Sequence, residues 1–444
     1  MRARKTPPIE IILTPFNRFF AMSAAGGLVL LACTAAAMFW ANSAWGDSYE
    51  RFRELHLRVG LDGHVLDLSL AHWVNDGLMA VFFFVVGLEI KRELLVGELS
   101  TARKAILPIL AAAGGMAAPA AFYVFFNQGG PHMAGWGIPI ATDIAFALGI
   151  LSLLGERAPV SLKVFLTAVA IADDMGAVLI IALFYTSQLS LAALGAGVGF
   201  LALMAAANAS GIRKPLPFLL LGIAAWAFFL SSGVHATVAG VLAAMTIPAR
   251  PRAGAQDFLV RSRNILNEFE GVCKEGMRCM LESKRQPQLL LTLREACRDA
   301  ETPLQRLDAM LHPWVAFAIM PVFALVNAGV LLPADMAAAI ARPVNLGIMF
   351  GLVLGKPLGV TLTALGLTAS GIAPRLAGVG WRHLLGAGCL AGIGFTMSIF
   401  ITELAFSDPA VKDSAKLGIL TASLVSALAG WAVLRLLTPA PRRS

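Results

Sequence analysis

Two adjacent aspartates, Asp173 and Asp174, stand in the middle of an otherwise apolar stretch that runs from Val160 to Tyr185. A carboxylate near the centre of a membrane span costs about 2.5–3.5 kcal/mol on insertion-based scales. The pair therefore needs a partner, a proton or a cation. Two close carboxylates cannot both ionise cheaply, so they titrate as a unit, and a proton and a cation compete for them. We interpret the pair as a cation and proton site inside a transporter.

A second candidate group is Thr142 and Asp143, which follow Pro139 within another apolar stretch. Proline removes a backbone hydrogen bond and breaks a helix, and irregular backbone at membrane depth is tolerated where it lines a cavity. Two half-helix ends would present fixed partial charges there, and Asp143 would neutralise the positive N-terminal ends. The alternative is that Asp143 only caps a kinked helix.

Lys356 lies well inside a third apolar stretch, between Gly355 and Pro357. An ammonium group at this depth must pair with a carboxylate or face water. Asp173 is the partner that we predict. In the alternative interpretation, the long side chain reaches the cytoplasmic surface.

Acidic residues and a histidine near helix ends form the last candidate group. Glu89 and Glu93 are four residues apart, so they share one helical face, and Lys91 and Arg92 lie beside them. His235 is near the start of a span and titrates near neutral pH. These residues could make activity depend on pH. Ordinary interfacial ion pairs and a buried, hydrogen-bonded histidine are the alternatives.

The composition is that of a polytopic membrane protein. Of 444 residues, 58% are hydrophobic and 14% are charged, with a mean hydropathy of +0.75, whereas soluble domains carry about 25% charged residues. Twelve apolar stretches are long enough to span a bilayer. They are 19–41, 71–90, 105–126, 134–154, 160–185, 189–210, 215–231, 233–248, 312–333, 343–368, 381–406 and 415–437.

Polar or glycine interruptions occur in the fourth and eleventh stretches. Gly392, Gly394 and Thr396 interrupt the eleventh, which carries no charge before Glu403, much as Asp143 interrupts the fourth. Each is the middle member of a trio, and the two trios start on opposite sides. Paired broken segments of this kind indicate a binding site between inverted repeats. We therefore predict an all-α polytopic fold with about twelve transmembrane helices, inverted-topology repeats and two discontinuous, crossing helices.

Positive charges predict the topology. The net charge of +8 comes from residues in loops, so we attribute it to orientation and not to nucleic-acid binding. With the N-terminus inside, 17 Lys and Arg residues fall in inside segments and 6 outside, leaving aside 11 in one long loop. Both termini are then cytoplasmic. The chain divides into a cytoplasmic N-terminus (1–18), spans 1–8 (19–248), a long cytoplasmic loop (249–311), spans 9–12 (312–437) and a cytoplasmic tail (438–444).

Two long polar segments lie between predicted spans. The outside loop 42–70 contains alternating residues and the pair Asp62–Gly63, which predicts a hairpin whose edge could join a second subunit. A plain solvated loop is the alternative. The loop 249–311 predicts cytoplasmic helices or partial disorder. Five scattered cysteines predict neither a disulfide framework nor a zinc site, and we expect no cofactor.

Several motifs together resemble the NhaA sodium/proton antiporters, in order from about residue 15 to 437. They are NDGLMAVFF, GLEIKREL, IATDIAFALGIL, LKVFLTAVAIADDMGA, ALFYT, SGVHATVAGV, LHPWVAF, NAGV, GKPLG and GIGFTMSIFI. NhaA is itself an example of the inverted-repeat transporters. The resemblance implies an electrogenic antiporter that lies in the bacterial inner membrane and is activated by alkaline pH. It would expel one Na⁺ or Li⁺ for about two protons.

The resemblance also implies roles for individual residues. Asp173 and Asp174 would carry the cation and the protons, and Thr142, Asp143 and Lys356 would lie at the helix crossing and compensate its charges. The implied pH-response residues are Glu89, Glu93, His235 and Asp308. The partners are Na⁺, Li⁺, H⁺, membrane lipid and a second subunit that binds through the outside hairpin, with no nucleic acid.

One departure from the family is the length of the loop 249–311, which puts the pH-response assignment in question. The alternative function is a non-transporting sensor or a channel on the same scaffold. An intramembrane aspartyl protease is disfavoured, because the tandem aspartates diverge on one helix and the chain has no GxGD motif.

Overall fold

The computed structural model describes residues 25–61, 64–186, 189–274 and 285–438, and these are mostly helical. The predicted N-terminal segment 1–18, the Asp62–Gly63 turn and the tail from residue 439 lie outside the described residues. So do residues 275–284 of the predicted cytoplasmic loop.

The described residues of the N-terminal half form ten helices. They are Ala25–Ala41, Gly46–Arg53, Leu70–His72, Met79–Val96, Ala102–Asn127, Ile144–Leu153, Val160–Phe184, Leu191–Ala209, Pro215–Leu230 and Ala236–Thr246. A π-helical turn, Trp73–Leu78, leads into the fourth of them. Two 3₁₀ segments, Met133–Ile140 and Gly155–Arg157, flank Ile144–Leu153.

The C-terminal half is helical as well, and several of its helices are joined by π-helical turns. The helices are Ala255–Lys274, Arg285–Ala300, Pro303–Trp314, Met320–Asn327, Met336–Ile340, Pro343–Phe350, Lys356–Ala369, Trp381–Ala391, Phe395–Ala405 and Pro409–Ala432. The π-helical turns are Val315–Ile319, Gly351–Gly355 and Val433–Leu437.

Seven helical runs among the described residues are long and apolar enough to cross a membrane, or nine if each strongly bent pair counts as one span. All twelve predicted apolar stretches overlap a helix, but Pro215–Leu230 and Ala236–Thr246 are short. The C-terminal half of the helix Met79–Val96 carries four charged residues, within GLEIKREL. A multi-pass membrane protein follows from these runs, whereas the number twelve stays a prediction.

A two-stranded antiparallel hairpin is the one sheet among the described residues. Its strands are His56–Leu61 and His64–Ser69, and Arg58 lies opposite Asp67. The Asp67 carboxylate is 2.8 Å from both Arg58 Nε and His56 Nδ1. Hydrogen bonding to His56 and Arg58 holds the pKa of Asp67 below its usual range. The Arg58–Asp67 ion pair therefore supports the hairpin above about pH 4 and is lost as the pH falls further.

The long segment before Pro303 forms two antiparallel-packed helices, Ala255–Lys274 and Arg285–Ala300. Arg285 and Glu268 join them 2.6 Å apart. Residues 249–311 therefore contain helices, and the ninth predicted span, 312–333, belongs to a helical run that already begins at Pro303.

Small residues allow the two central helical runs, Ala102–Asn127 and Pro343–Ala369, to pack closely. A Cβ atom on Gly359 would lie 2.2 Å from the carbonyl oxygen of Gly114, and one on Gly355 would lie 2.8 Å from Cα of Pro119. Backbone atoms cannot yield cheaply, so glycine is required at both positions. This close approach brings the segment that carries Lys356 into the centre of the molecule.

Gly359→Ala should lower the thermal stability of the purified protein by about 1–3 kcal/mol, since overpacking against backbone costs this much. Gly366→Ala, on the same helix, is the matched control because a Cβ there would meet nothing within 4 Å. That variant should match or exceed the native midpoint, as alanine favours helix over glycine. Equal melting of the two variants would contradict the packing argument.

Candidate functional site

Two broken helices meet at the centre of the molecule. In the first, the 3₁₀ segment Met133–Ile140 is followed by extended residues 141–143 and the helix Ile144–Leu153. In the second, Trp381–Ala391 and Phe395–Ala405 meet at an angle of 44° across residues 392–394. Pro139 and the glycines at 392 and 394 lie at or beside the breaks, where helical hydrogen bonding is weakest.

The two breaks touch through hydrogen bonds. The Asp143 backbone N–H donates to the Ile393 carbonyl at 2.6 Å, and the Thr142 hydroxyl lies 2.8 Å from the Ala391 carbonyl. These contacts satisfy backbone groups that the breaks leave without helical partners, as irregular backbone in a membrane requires. The helices are therefore discontinuous at the same place, and they cross there.

Asp143 serves the N-terminal ends of two half-helices. Its Oδ1 accepts from the Phe146 backbone N–H at 3.1 Å and so caps its own helix. Its Oδ2 accepts from the Thr396 N–H at 3.3 Å and from the Thr396 hydroxyl. The Asp143 side chain therefore caps its own half-helix and also lies against the N-terminal end of the facing one.

Lys356 is fully buried and pairs with Asp173. The distance from Lys356 Nζ to Asp173 Oδ2 is 2.6 Å, and both side chains are 0% exposed. The ammonium also donates to the Ile140 carbonyl, at the C-terminal end of the first half-helix, where the dipole is negative. A side chain that reached the surface would not be buried in this way, so this alternative does not hold.

Asp173 has a cationic partner, whereas Asp174 has none among the described residues. Asp173 Oδ2 receives Lys356 and lies 2.8 Å from the Thr142 hydroxyl. Asp174 is 2% exposed, and no side chain among the described residues forms an ion pair with it. The Oδ1 atoms of both residues are buried without a hydrogen-bond partner. Such oxygens are costly unless a proton or a cation occupies them, so the arrangement can hold either.

The predicted pH-response residues fall into two groups. Asp308 Oδ2 is 3.0 Å from Arg92 Nη1, and Arg92 also lies 3.9 Å from Glu93. Glu89 joins this group through His312. The structure therefore brings Glu89, Glu93 and Asp308 together.

His235 belongs to a separate contact group. Its Nε2 is 3.3 Å from Asp76 Oδ1, and its Nδ1 is 2.8 Å from the Thr237 hydroxyl. Asp76 precedes Glu89 by 13 residues in one helical run, which corresponds to about 20 Å along the axis. The structure does not bring His235 to the acidic group.

Sequence reasoning missed several partners. Thr396 binds Asp143, His312 lies beside Glu89, and Asp76 lies beside His235. Glu403 was noted only as a charge at the end of a span, yet it forms ion pairs with Lys412 at 2.8 Å and Lys416 at 2.6 Å. The spacing of Asp308 and His312, four residues apart on a helix, was the one signal that could have found His312.

Known proteins resemble the chain over nearly its whole length. The family model described as Na⁺/H⁺ antiporter 1 matches residues 17–434. A Na⁺/H⁺ antiporter NhaA of Oleidesulfovibrio alaskensis is 51% identical over 97% of this chain and 95% of its own. The NhaA of Koribacter versatilis is 47% identical over 98% and 94%, and that of Syntrophobacter fumaroxidans 48% over 94% and 89%. With the crossed, broken helices and their buried carboxylates, these matches place the chain in the Na⁺/H⁺ antiporter 1 family.

Proposed function

We propose that this protein is a Na⁺/H⁺ antiporter, and that Asp173 and Asp174 are the groups that bind Na⁺ and protons in turn. Membership of the family supports the exchange activity. The observation that supports the site is the pair of buried carboxylate oxygens, Asp173 Oδ1 and Asp174 Oδ1, which have no partner among the described residues.

Competition at this pair couples the two ions. When both carboxylates are ionised, their oxygens can bind one Na⁺, and when both are protonated the electrostatic attraction for Na⁺ is lost. The Thr142 hydroxyl lies within hydrogen-bond distance of both Asp173 and the Ala391 carbonyl. Its single hydrogen can serve an ionised Asp173 or, when Asp173 is protonated, the carbonyl. No separate proton pathway is needed for the exchange.

Two protons per cation follow if both carboxylates are protonated each time that one Na⁺ or Li⁺ leaves. One net positive charge then moves in each cycle, and the exchange is electrogenic. Lys356 must leave Asp173 or share it when the cation binds, because the two positive charges would otherwise compete for Asp173 Oδ2. Lys356 and Asp143 compensate the partial charges of the helix ends at the crossing.

The surrounding architecture belongs to the same proposal. About twelve spans in two inverted repeats place the crossed helices between the repeats. Both termini lie in the cytoplasm of a bacterium, and the protein resides in the lipid of the inner membrane. The loop 249–311, with its helices Ala255–Lys274 and Arg285–Ala300, lies on the cytoplasmic side.

Alkaline activation is part of the proposal as well. Glu89, Glu93 and Asp308 form one contact group with Arg92 and His312, and ion pairs of this kind rearrange as their members gain or lose protons. His235 would contribute from its own pair with Asp76.

Proton movement in everted membrane vesicles tests the function. A fluorescent probe of the pH gradient should respond to NaCl and LiCl in vesicles with this protein, more strongly at alkaline pH, and not in vesicles without it. KCl is the matched ionic control. Cation-driven loss of the membrane potential without proton exchange would favour the channel alternative. Absence of any response at every pH, with the protein present in the membrane, would contradict the proposal.

The hairpin is proposed to join two subunits. Its strands expose edge hydrogen-bonding groups that a second copy can pair with. The chain ends left by removing residues 56–69 lie close together, because the Leu70 N–H donates to the Leu55 carbonyl at 2.8 Å. Replacing 56–69 by a short Gly–Ser linker should halve the mass measured by light scattering in detergent while exchange is retained. A dimer that persists in this variant would contradict the interface.

A further inference from the structure

Three possible metal ligands converge outside the Asp173–Asp174 site. Asp308 and His312 are four residues apart on the helix Pro303–Trp314, so they share one face, and Glu89 faces them from the helix Met79–Val96. One ligand atom from each residue lies within 4.8 Å of the other two. His312 Nδ1 and Glu89 Oε1 are 3.5 Å apart. We infer that Glu89, Asp308 and His312 form a binding site for a divalent transition-metal ion of the Zn²⁺ type.

The donor set fits such an ion. Zn²⁺ binds imidazole nitrogen and carboxylate oxygen at about 2.0–2.2 Å, and sites with three protein ligands keep a fourth position for water. Tetrahedral ligands around that ion are about 3.3–3.5 Å apart. The distance between His312 and Glu89 already has this value, and small side-chain rotations would close the rest. Two carboxylates also balance the charge of a divalent ion.

An unpaired ligand atom favours the site over an ordinary ion-pair network. Asp308 Oδ2 is held by Arg92, but Asp308 Oδ1 is buried and has no hydrogen-bond partner among the described residues. A metal can use Oδ1 while Arg92 keeps Oδ2. The neighbouring ammonium of Lys91 does not compete, since it donates to the carbonyls of Met245 and Ile247 at 2.6 and 2.5 Å.

The positions of the three residues determine how an ion reaches the site and what its binding would do. The His312 side chain is 64% exposed, so an ion can enter from solvent, whereas Glu89 and Asp308 are mostly covered. A bound ion would tie Met79–Val96 to Pro303–Trp314 and oppose any relative motion of these helices. Inhibition of exchange is therefore expected. That consequence rests on the proposed function, whereas metal binding does not.

Direct binding tests the site without transport. The full chain is purified without a polyhistidine tag, its cysteines are alkylated, and ZnCl₂ is titrated against it by calorimetry. We expect one Zn²⁺ per chain and a Kd that rises at least about tenfold, or 1.4 kcal/mol, in His312→Gln and in Asp308→Asn. CoCl₂ should give a visible absorption band that is reduced in both variants. His383→Gln is the matched histidine control and should bind as the native chain does.

Either of two results would overturn the site: no stoichiometric Zn²⁺ binding by the native chain, or native affinity in both ligand variants. Glu89→Gln serves as the third variant if one of the others fails to fold, as judged by its melting curve. In everted vesicles, micromolar ZnCl₂ should inhibit the Na⁺-driven response of the native protein more than that of His312→Gln. Binding without this difference would keep the site and overturn its inhibitory role.

Discussion

Asp174→Asn will reduce Na⁺- and Li⁺-driven proton movement to the level of vesicles that lack the protein. Asparagine keeps the volume of the side chain but can neither ionise nor exchange a proton. Asp174 is buried, has no ion-pair partner among the described residues, and has an unpaired Oδ1. We therefore expect Asp174 to be available to a transported ion, whereas the other two described carboxylates here have partners: Lys356 for Asp173 and two helix N-terminal ends for Asp143. The measurement is the fluorescent gradient assay at several pH values.

The stability of the same variant separates a lost site from a lost fold. Removing a buried charge that has no protein partner relieves a desolvation cost, so the melting midpoint should stay equal or rise. Asp257→Asn is the matched control, because Asp257 is an exposed acid on the helix Ala255–Lys274. That variant should exchange ions normally. Normal exchange by Asp174→Asn would remove Asp174 from the mechanism.

The residue types in the apolar stretches were enough to predict that several polar side chains need partners inside the molecule. An aspartate pair, a lysine and a Thr–Asp pair after Pro139 cannot lie at membrane depth without partners. Because a buried lysine needs a carboxylate, the sequence alone was enough to predict Asp173 as the partner of Lys356. The structure places these two groups 2.6 Å apart. The breaks near Pro139 and Gly392–Gly394 were predictable because proline and glycine weaken a helix.

Apart from the Asp173–Lys356 pair, the contacts of the site between distant parts of the chain could not be predicted. The partner of Asp143 is Thr396, 253 residues away, and a threonine gives no signal of its own in an apolar stretch. Glu403, Lys412 and Lys416 lie near the ends of apolar stretches, where charges suggest loops, yet the structure joins them in one ion-pair group in which Lys416 is buried. Helices within 249–311 were predicted, but the charged residues at 306 and 308 conceal that the helical run of the ninth apolar stretch already begins at Pro303.

Lys356→Met should destabilise the protein strongly, by about 3–5 kcal/mol, because removing one partner of a buried pair leaves the other charge uncompensated. Methionine retains the apolar stem of lysine, so the loss of volume is small and the effect reports on charge. The Asp173–Lys356 pair is 0% exposed on both sides. Melting in detergent over a range of pH measures the deficit, and the deficit should be smallest in acid, where a proton can take the place of Lys356 on Asp173.

The double variant Asp173→Asn/Lys356→Met decides whether Lys356 stabilises the protein by balancing the charge of Asp173 or by its hydrogen bond to the Ile140 carbonyl. If the single variant fails because Asp173 is left ionised and unpaired, neutralising Asp173 should restore most of the midpoint, with the two changes strongly non-additive. If Lys356 acts mainly by its hydrogen bond to the Ile140 carbonyl, at the end of the first half-helix, the double variant should remain as unstable as the single one. Recovery would show that a lysine at membrane depth is kept in this chain to balance an ion-binding carboxylate. Failure to recover would make its contact with the broken helix the dominant contribution.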